Sequence, residues 1–172
     1  MTTVLVTGPI GGGKTTVCRY LEASGYPVYD CDSRCKGLYE NVSGLKLRIE
    51  NELKVQFSEL GVIFKDADLR EKLEAIVYPL LLRDIENWKD SLDCSLAFIE
   101  SAVALEKPLF RNTYDKVLLV KAPRRLRHSR NPKAASREAL QKFDKSLIDY
   151  TIDNGSGLES LYAKIEKFLE QL

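Results

Sequence analysis

Residues 8–15 have the sequence Gly-Pro-Ile-Gly-Gly-Gly-Lys-Thr, which fits the phosphate-loop pattern G-x-x-x-x-G-K-[ST] at every fixed position. The surrounding sequence fits as well, because a β-rich run at residues 4–7 precedes the loop and a helical pattern at residues 14–24 follows it. Backbone N–H groups of a glycine-rich loop can point inward together when no side chain obstructs them, and a helix N-terminus favours an anion. The stretch therefore predicts a nucleoside triphosphate site. The alternative is an ordinary glycine-rich turn that caps a helix.

Two side chains of this loop are predicted to act on the nucleotide directly. Lys14 would reach the β- and γ-phosphates, and the hydroxyl of Thr15 would ligate Mg²⁺. The predicted nucleotide-binding positions of the loop and the first helical turn are Gly8, Gly11, Gly12, Gly13, Lys14, Thr15 and Thr16.

The rest of the chain alternates short apolar runs with helical patterns. The further strands are predicted at residues 26–30, 96–99, 117–120 and 150–152, and the further helices at 32–60, 69–88 and 158–172. Pro79 should kink or divide the helix at 69–88. Alternating strands and helices predict an α/β P-loop NTPase fold with five parallel strands flanked by helices. We expect one domain over residues 1–172, with a helical substrate-side region at 32–92 and a lid at 124–142.

Composition excludes several functional classes. The chain has 172 residues and a net charge of +1, which gives no general reason to expect a nucleic-acid partner. Its longest uncharged apolar stretch, at about residues 75–82, is far shorter than the roughly 18 residues of a membrane span. The first residues lack the basic start of a signal peptide, and the four cysteines are expected to be reduced thiols, so we expect a cytoplasmic protein. A single histidine rules out a multi-histidine zinc site.

Other features narrow the choice among P-loop proteins. The sequence contains no N-K-x-D element for guanine recognition. The apolar run at 96–99 is followed by Glu100, which is at most a weak match to the acidic residue of a Walker-B motif. Residues 124–142 are rich in arginine and lysine and follow the fourth strand. A lid that excludes water from a phosphoryl group belongs at this place, which favours a kinase; a solvated helix surface is the alternative. We expect His128 to be exposed within this segment.

Acidic residues follow the second predicted strand. Because ligands bind at the carboxyl ends of parallel strands, Asp30 and Asp32 should face the phosphate loop. A carboxylate at this place can accept the proton of an attacking hydroxyl, or it can hold Mg²⁺ through water. The alternative is that either residue only caps the following helix.

Taken together, these residues resemble the dephospho-CoA kinase family. The resembling segments, in the order that the family has them, are GPIGGGKTTVCRYLEASGYPVYDCD, LREKLEAIVYPLL, AFIESAVALE, YDKVLLVKAP and DYTIDNGSGLESL. The resemblance implies transfer of the ATP γ-phosphate to the 3′-hydroxyl of dephospho-CoA, with Mg²⁺. It also implies ATP and dephospho-CoA as partners, with no nucleic acid and no membrane, and leaves the oligomeric state open.

The resemblance also implies roles for individual residues. Asp32 matches the family's general base, while Lys14 and Thr15 keep their phosphate-loop roles. The other matches are Glu106 in the segment P-L-L-x-E, Asn154 near the nucleotide base, and Arg137 with Gln141 in the lid, where Arg137 is assigned to catalysis. Either Arg130 or Arg127 matches a phosphate-contacting arginine, and we take Arg130 as the nucleotide-binding one.

The sequence departs from the family at four places. Tyr78 stands where the family has a histidine, and Ala102 replaces a proline. The substrate-side region between Asp32 and Leu69 is short, and the lid is shortened as well. These departures keep two further hypotheses open. One is a nucleotide-binding homologue with impaired catalysis, and the other is a kinase for another nucleoside-like or nucleotide-like acceptor.

Overall fold

The five strands form one parallel sheet. A computed structural model describes residues 1–132, 134 and 144–172. In chain order the strands are β1 (Thr2–Thr7), β2 (Val28–Asp30), β3 (Leu96–Glu100), β4 (Lys116–Lys121) and β5 (Tyr150–Asp153). Their order in the sheet is β2-β3-β1-β4-β5, and all four neighbouring pairs are parallel. The predicted parallel α/β sheet is therefore confirmed, although β1 is longer and β2 shorter than the sequence pattern indicates.

Helices follow the strands, but the region predicted as helical at 32–60 is divided into two helices and part of a 3₁₀ segment. The helices are α1 (Lys14–Ala23), α2 (Cys31–Asn41), α3 (Leu45–Leu53), α4 (Ala67–Asp90), α5 (Arg124–Arg130) and α6 (Leu158–Leu169). Short 3₁₀ segments lie at Phe57–Phe64, Ala104–Glu106, Pro108–Thr113 and Lys145–Leu147.

The expected division of a helix at Pro79 is wrong. A single 24-residue helix, α4, runs through this proline. Pro79 removes only one backbone N–H, whereas the buried face continues on both sides of it with Leu73, Ile76, Val77, Leu81 and Ile85. Asp66 begins the helix by accepting hydrogen bonds from the N–H groups of Asp68 and Leu69. Burial on both sides of the proline outweighs the lost hydrogen bond.

The chain divides into two compact units. The sheet unit comprises Met1–Asp30 and Leu92–Leu172, and the helical unit comprises Cys31–Ser91. In the sheet unit, side chains from β1, β3, β4 and β5 form a buried cluster with those of α1 and α6. Val4 and Val6 belong to this cluster, while Leu5 between them is buried as well, so β1 is covered on both faces. The single-domain organisation stays a prediction.

The helical unit has an apolar core of its own. Its buried members come from α3 and α4 and are Leu45, Ile49, Leu53, Leu73, Ile76 and Val77. The apolar face of residues 69–85 therefore serves packing within this unit. No helix in the described ranges is long and apolar enough to cross a membrane.

The basic segment after β4 is described in part. Its first part is α5, and Arg137 and Gln141 lie outside the described residues. The expectation that His128 is exposed is wrong, because its side chain is half-buried on α5.

Candidate active site

The phosphate loop leads directly from the central strand into a helix. It follows the last residue of β1, and α1 begins at Lys14. Within the loop the N–H of Gly12 donates to the carbonyl of Pro9 at 2.9 Å, and the carbonyl of Gly13 accepts from Thr16 and Val17 at 3.1 Å each. The loop is therefore a closed turn at the N-terminus of α1, where a helix favours an anion.

The loop packs closely against the backbone of β4. A Cβ atom at Gly8 would overlap the carbonyl oxygen of Val120, and one at Gly12 would lie only 2.8 Å from the same oxygen. Glycine is therefore required at both positions for this approach, which brings the loop over the carboxyl ends of β1 and β4.

Lys14 and Thr15 begin α1 on the same side of the sheet. The Nζ of Lys14 donates to the carbonyl of Gly8 at 2.9 Å, so the ammonium lies over its own loop. The hydroxyl of the exposed Thr15 donates to Oε1 of Glu100 at 3.2 Å. A cation and a hydroxyl–carboxylate pair thus meet beside the loop.

Glu100 is a candidate site residue to which the sequence pattern gave little weight. It ends β3, and the strand register places it beside Val6 of β1 and Asp30 of β2. Burial and the negative charge of Asp30 raise the pKa of Glu100, although the charge of Lys14 and hydrogen bonds from Thr15 and Cys18 oppose this rise. Glu100 could have been predicted as a site residue because it is an acidic residue at the end of a buried strand that lies next to β1.

Cys18 supports this carboxylate from within the core. It lies one helical turn after Lys14, is almost completely buried, and donates its thiol hydrogen to Glu100. Burial, followed by the charge of Glu100, strongly raises the pKa of the Cys18 thiol, which keeps it protonated as a donor. The sequence did not place this cysteine near the site, because side-chain contacts between α1 and β3 cannot be predicted from apolar periodicity.

Arg130 and Asn154 both contact the loop. Nη1 of Arg130 donates to the carbonyl of Gly11 at 3.5 Å, and the amide of the buried Asn154 donates to the carbonyl of Gly12 at 3.1 Å. Arg127, the other arginine that the sequence left open, is buried and donates through Nε to the carbonyl of Ala122 at 3.1 Å. Arg130 therefore has a hydrogen bond to the loop.

Two further predicted site residues belong to other elements. Asp32 belongs to the helical unit and is exposed in the first turn of α2. Glu106 ends the 3₁₀ segment after β3 and is half-buried. The structure therefore brings together the loop, Lys14, Thr15 and Glu100 within the sheet unit.

Known proteins resemble this chain over most of its length. The family model for dephospho-CoA kinase matches residues 2–148. The chain belongs to the dephospho-CoA kinase family. A dephospho-CoA kinase from Porphyromonas gingivalis is 30% identical over 175 aligned residues, which cover 90% of this chain and 86% of that relative.

Solved structures share the fold. A crystal structure of a Thermus thermophilus protein superposes with a TM-score of 0.82 at 27% identity, covering 99% of this chain and 97% of that one. Dephospho-CoA kinase from Campylobacter jejuni superposes with a TM-score of 0.66 at 18% identity, covering 98% of this chain and 96% of that one. The predicted membership of the dephospho-CoA kinase family and the P-loop kinase fold are thus confirmed.

Proposed function

We propose that this chain transfers the γ-phosphoryl group of ATP to the 3′-hydroxyl of dephospho-CoA, giving CoA and ADP. In this reaction the bond between the γ-phosphorus and its bridging oxygen breaks, and a bond to the acceptor oxygen forms. The observation that carries the proposal is the meeting of Lys14, Thr15 and Glu100 at the phosphate loop in a chain of this family. A cytoplasmic location accords with the proposal and stays a prediction.

The loop and Lys14 would hold the triphosphate. The N-terminus of α1 and the ammonium of Lys14 both attract negative charge, and both lie at the end of β1. Because phosphoryl transfer spreads charge over the γ-phosphate oxygens, fixed positive groups at this place lower the barrier without moving during the reaction.

Thr15 and Glu100 fit a magnesium ion. The hydroxyl of Thr15 and the carboxylate of Glu100 are within hydrogen-bond distance of each other, and both are the hard oxygen ligands that Mg²⁺ prefers. No cluster of three or more His, Cys, Asp or Glu suited to a metal occurs among the described residues. A site of few protein ligands is typical of Mg²⁺ in kinases, where substrate phosphates and water complete the coordination. When bound, the ion would neutralise charge on the phosphates.

Asp32 is our proposal for the general base. It matches the family's base, and its carboxylate is exposed in the first turn of α2, free of the burial that would hinder access by a substrate. Its role would be to accept the proton of the acceptor hydroxyl as the new phosphorus–oxygen bond forms. Arg130, and Arg137 outside the described residues, are proposed to stabilise phosphate charge.

A coupled assay of ADP release tests this proposal. The purified chain should release ADP only when ATP, magnesium and dephospho-CoA are all present. Asp32→Asn should lower kcat by about 10²–10⁴, the usual contribution of a general base, while the Kd for ATP stays unchanged. Asp68→Asn is the matched control, because Asp68 is also an exposed acid in the first turn of a helix of the same unit.

Three outcomes would contradict parts of the proposal. ADP release that does not depend on dephospho-CoA, but follows another acceptor in a panel of nucleosides and nucleotides, would overturn the substrate assignment. Saturable ATP binding with no turnover on any acceptor would support the impaired homologue, for which Tyr78 in place of the family's histidine gives a reason. Unchanged kcat in Asp32→Asn would remove Asp32 as the base.

A further inference from the structure

Asn154 lies where the end of β5 meets the phosphate loop. Its backbone N–H donates to the carbonyl of Lys121, the last residue of β4, at 2.7 Å. Its side chain is only 6% exposed, and Nδ2 donates to the carbonyl of Gly12 at 3.1 Å. A buried amide that is anchored to the sheet by its own backbone therefore holds one carbonyl of the loop.

This hydrogen bond also orients the next N–H of the loop. No cis peptide bond occurs in the described chain, so the carbonyl of Gly12 and the N–H of Gly13 point in opposite directions within one peptide plane. Because Asn154 holds the carbonyl, the N–H of Gly13 is turned away from Asn154. A Cβ atom at Gly13 would overlap Nδ2 of Asn154, so the amide fills the space beside this residue.

Arg130 reinforces the same contact. Its Nη1 and Nη2 atoms donate to the carbonyl of Asn154 at 3.4 Å each, and Nη1 also reaches the carbonyl of Gly11 at 3.5 Å. Two successive carbonyls of the loop, those of Gly11 and Gly12, thus face donors from outside the loop. This arrangement limits the rotation of peptide groups that glycine residues would otherwise allow.

We propose that Asn154 is a positioning residue for the phosphate loop, which fixes the N–H of Gly13 toward the phosphates and thereby sets affinity for the polyphosphate part of the nucleotide. This role differs from contact with the nucleotide base, which the family resemblance implies for this position. The inference rests on the proposed function of the loop as the ATP site. Fixing the loop before binding reduces the conformational entropy lost when the phosphates bind.

Calorimetric titration of the full chain with two probes separates the roles. ATP carries a base, whereas inorganic tripolyphosphate does not, and both are titrated in the presence of magnesium. Asn154→Asp removes the donor and places a carboxylate against the carbonyl of Gly12. We expect Asn154→Asp to raise the Kd of both probes by the same factor, about tenfold or more, because a buried polar group is left unsatisfied. Asn112→Asp is the matched control, because it adds the same charge at an exposed asparagine of the same unit.

Further measurements keep the test decisive. Asn154→Ala removes the donor without adding charge and should show the same pattern with a smaller loss, so it carries the test if Asn154→Asp does not fold. The KM for dephospho-CoA should stay unchanged in both variants. Weaker ATP binding with unchanged tripolyphosphate binding would overturn the inference in favour of base recognition, and unchanged binding of both probes would overturn it outright. Failure of the wild-type chain to bind either probe would instead overturn the proposed function, and the inference with it.

Discussion

Alanine at Gly11 should be far more damaging than alanine at Gly25, although both glycines have a positive φ angle. Their φ angles are +76° and +90°, so both substitutions place a side chain in the left-handed region at a shared cost of about 1–2 kcal/mol. A Cβ at Gly25 would meet no atom within 4 Å, whereas a Cβ at Gly11 would lie 2.6 Å from the carbonyl oxygen of Arg127 and 2.9 Å from its Cα. Gly25→Ala is therefore the control for backbone strain. The difference in stability between Gly11→Ala and Gly25→Ala measures the contact between the loop and α5.

The size of the difference follows from how far the backbone would have to move. Ordinary van der Waals contacts of a Cβ begin at 3.4 Å, so the carbonyl of Arg127 would have to shift by about 0.8 Å. This carbonyl accepts a hydrogen bond from Asn131, and the N–H of Arg127 donates to Pro123, each at 3.0 Å, so the shift would displace α5 as a whole. Overpacking of this kind costs about 1–3 kcal/mol beyond the shared term. At about 2–4 °C per kcal/mol, the Tm of Gly11→Ala should lie about 2–12 °C below that of Gly25→Ala.

Thermal unfolding with and without ATP measures both the loss of stability and the effect on ATP binding. Wild-type chain in ATP at 100 times its Kd should gain about 2.7 kcal/mol of stability, and Gly25→Ala should gain the same amount. Gly11→Ala should gain less at that ATP concentration, because moving α5 also moves Arg130, which contacts the carbonyl of Gly11. Equal melting temperatures and equal ATP-induced shifts in the two variants would refute the argument that α5 holds the loop.

Two further substitutions test the carboxylate beside the loop and the departure from the family in the helical unit. Glu100→Gln should raise the Tm of the ligand-free protein at neutral pH, because burial raises the pKa of Glu100 and the folded state therefore disfavours its charged form. In a pH series of thermal melts, this gain in Tm should shrink as the pH falls through the raised pKa of Glu100. A lower Tm of Glu100→Gln than of the wild type at neutral pH would contradict the reasoning. Magnesium-dependent turnover should also fall in Glu100→Gln. Tyr78→Phe should lower the free energy of unfolding by about 0.5–1.5 kcal/mol in denaturant titrations, since its hydroxyl shares a hydrogen bond with Glu74. The Kd for ATP should not change in Tyr78→Phe, and a changed value would show that Tyr78 affects the nucleotide site.

The order of elements was predictable because strong local signals mark it. The glycine loop, the alternation of apolar runs with helical patterns and the parallel sheet all follow from periodicity and composition. Strand ends were less predictable: β2 was expected at residues 26–30 but spans Val28–Asp30. Tyr26 packs edge-to-face on Phe98 with ring centroids 5.6 Å apart, so its apolar character reflects packing rather than strand pairing. Apolar periodicity reports burial and does not report which residues join the hydrogen-bond ladder.

The candidate site was predictable only where its chemistry is local in sequence. Lys14 and Thr15 follow the loop directly, whereas Glu100 and Cys18 come from separate elements that only the folded sheet brings together. The family resemblance implied a place for Asn154 near the nucleotide base. Its contact with Gly12 was not predicted, because this contact depends on where β5 ends beside β4. Long-range side-chain contacts of this kind have no periodic pattern, so a single sequence cannot reveal them.

The electrostatics of the site follow from this geometry and oppose stability in the ligand-free chain. The register of β2 and β3 places Asp30 beside Glu100, and two neighbouring carboxylates in a partly buried place repel each other. Lys14 lowers the pKa of Glu100 by more than Asp30 raises it, so the net rise in this pKa comes from the burial of the carboxylate. A stable fold that needed no cation would place an apolar or neutral side chain at the end of β3. An acid there, partly buried and hydrogen-bonded to the hydroxyl of Thr15, is the arrangement expected if a cation binds with the nucleotide and compensates the buried charge.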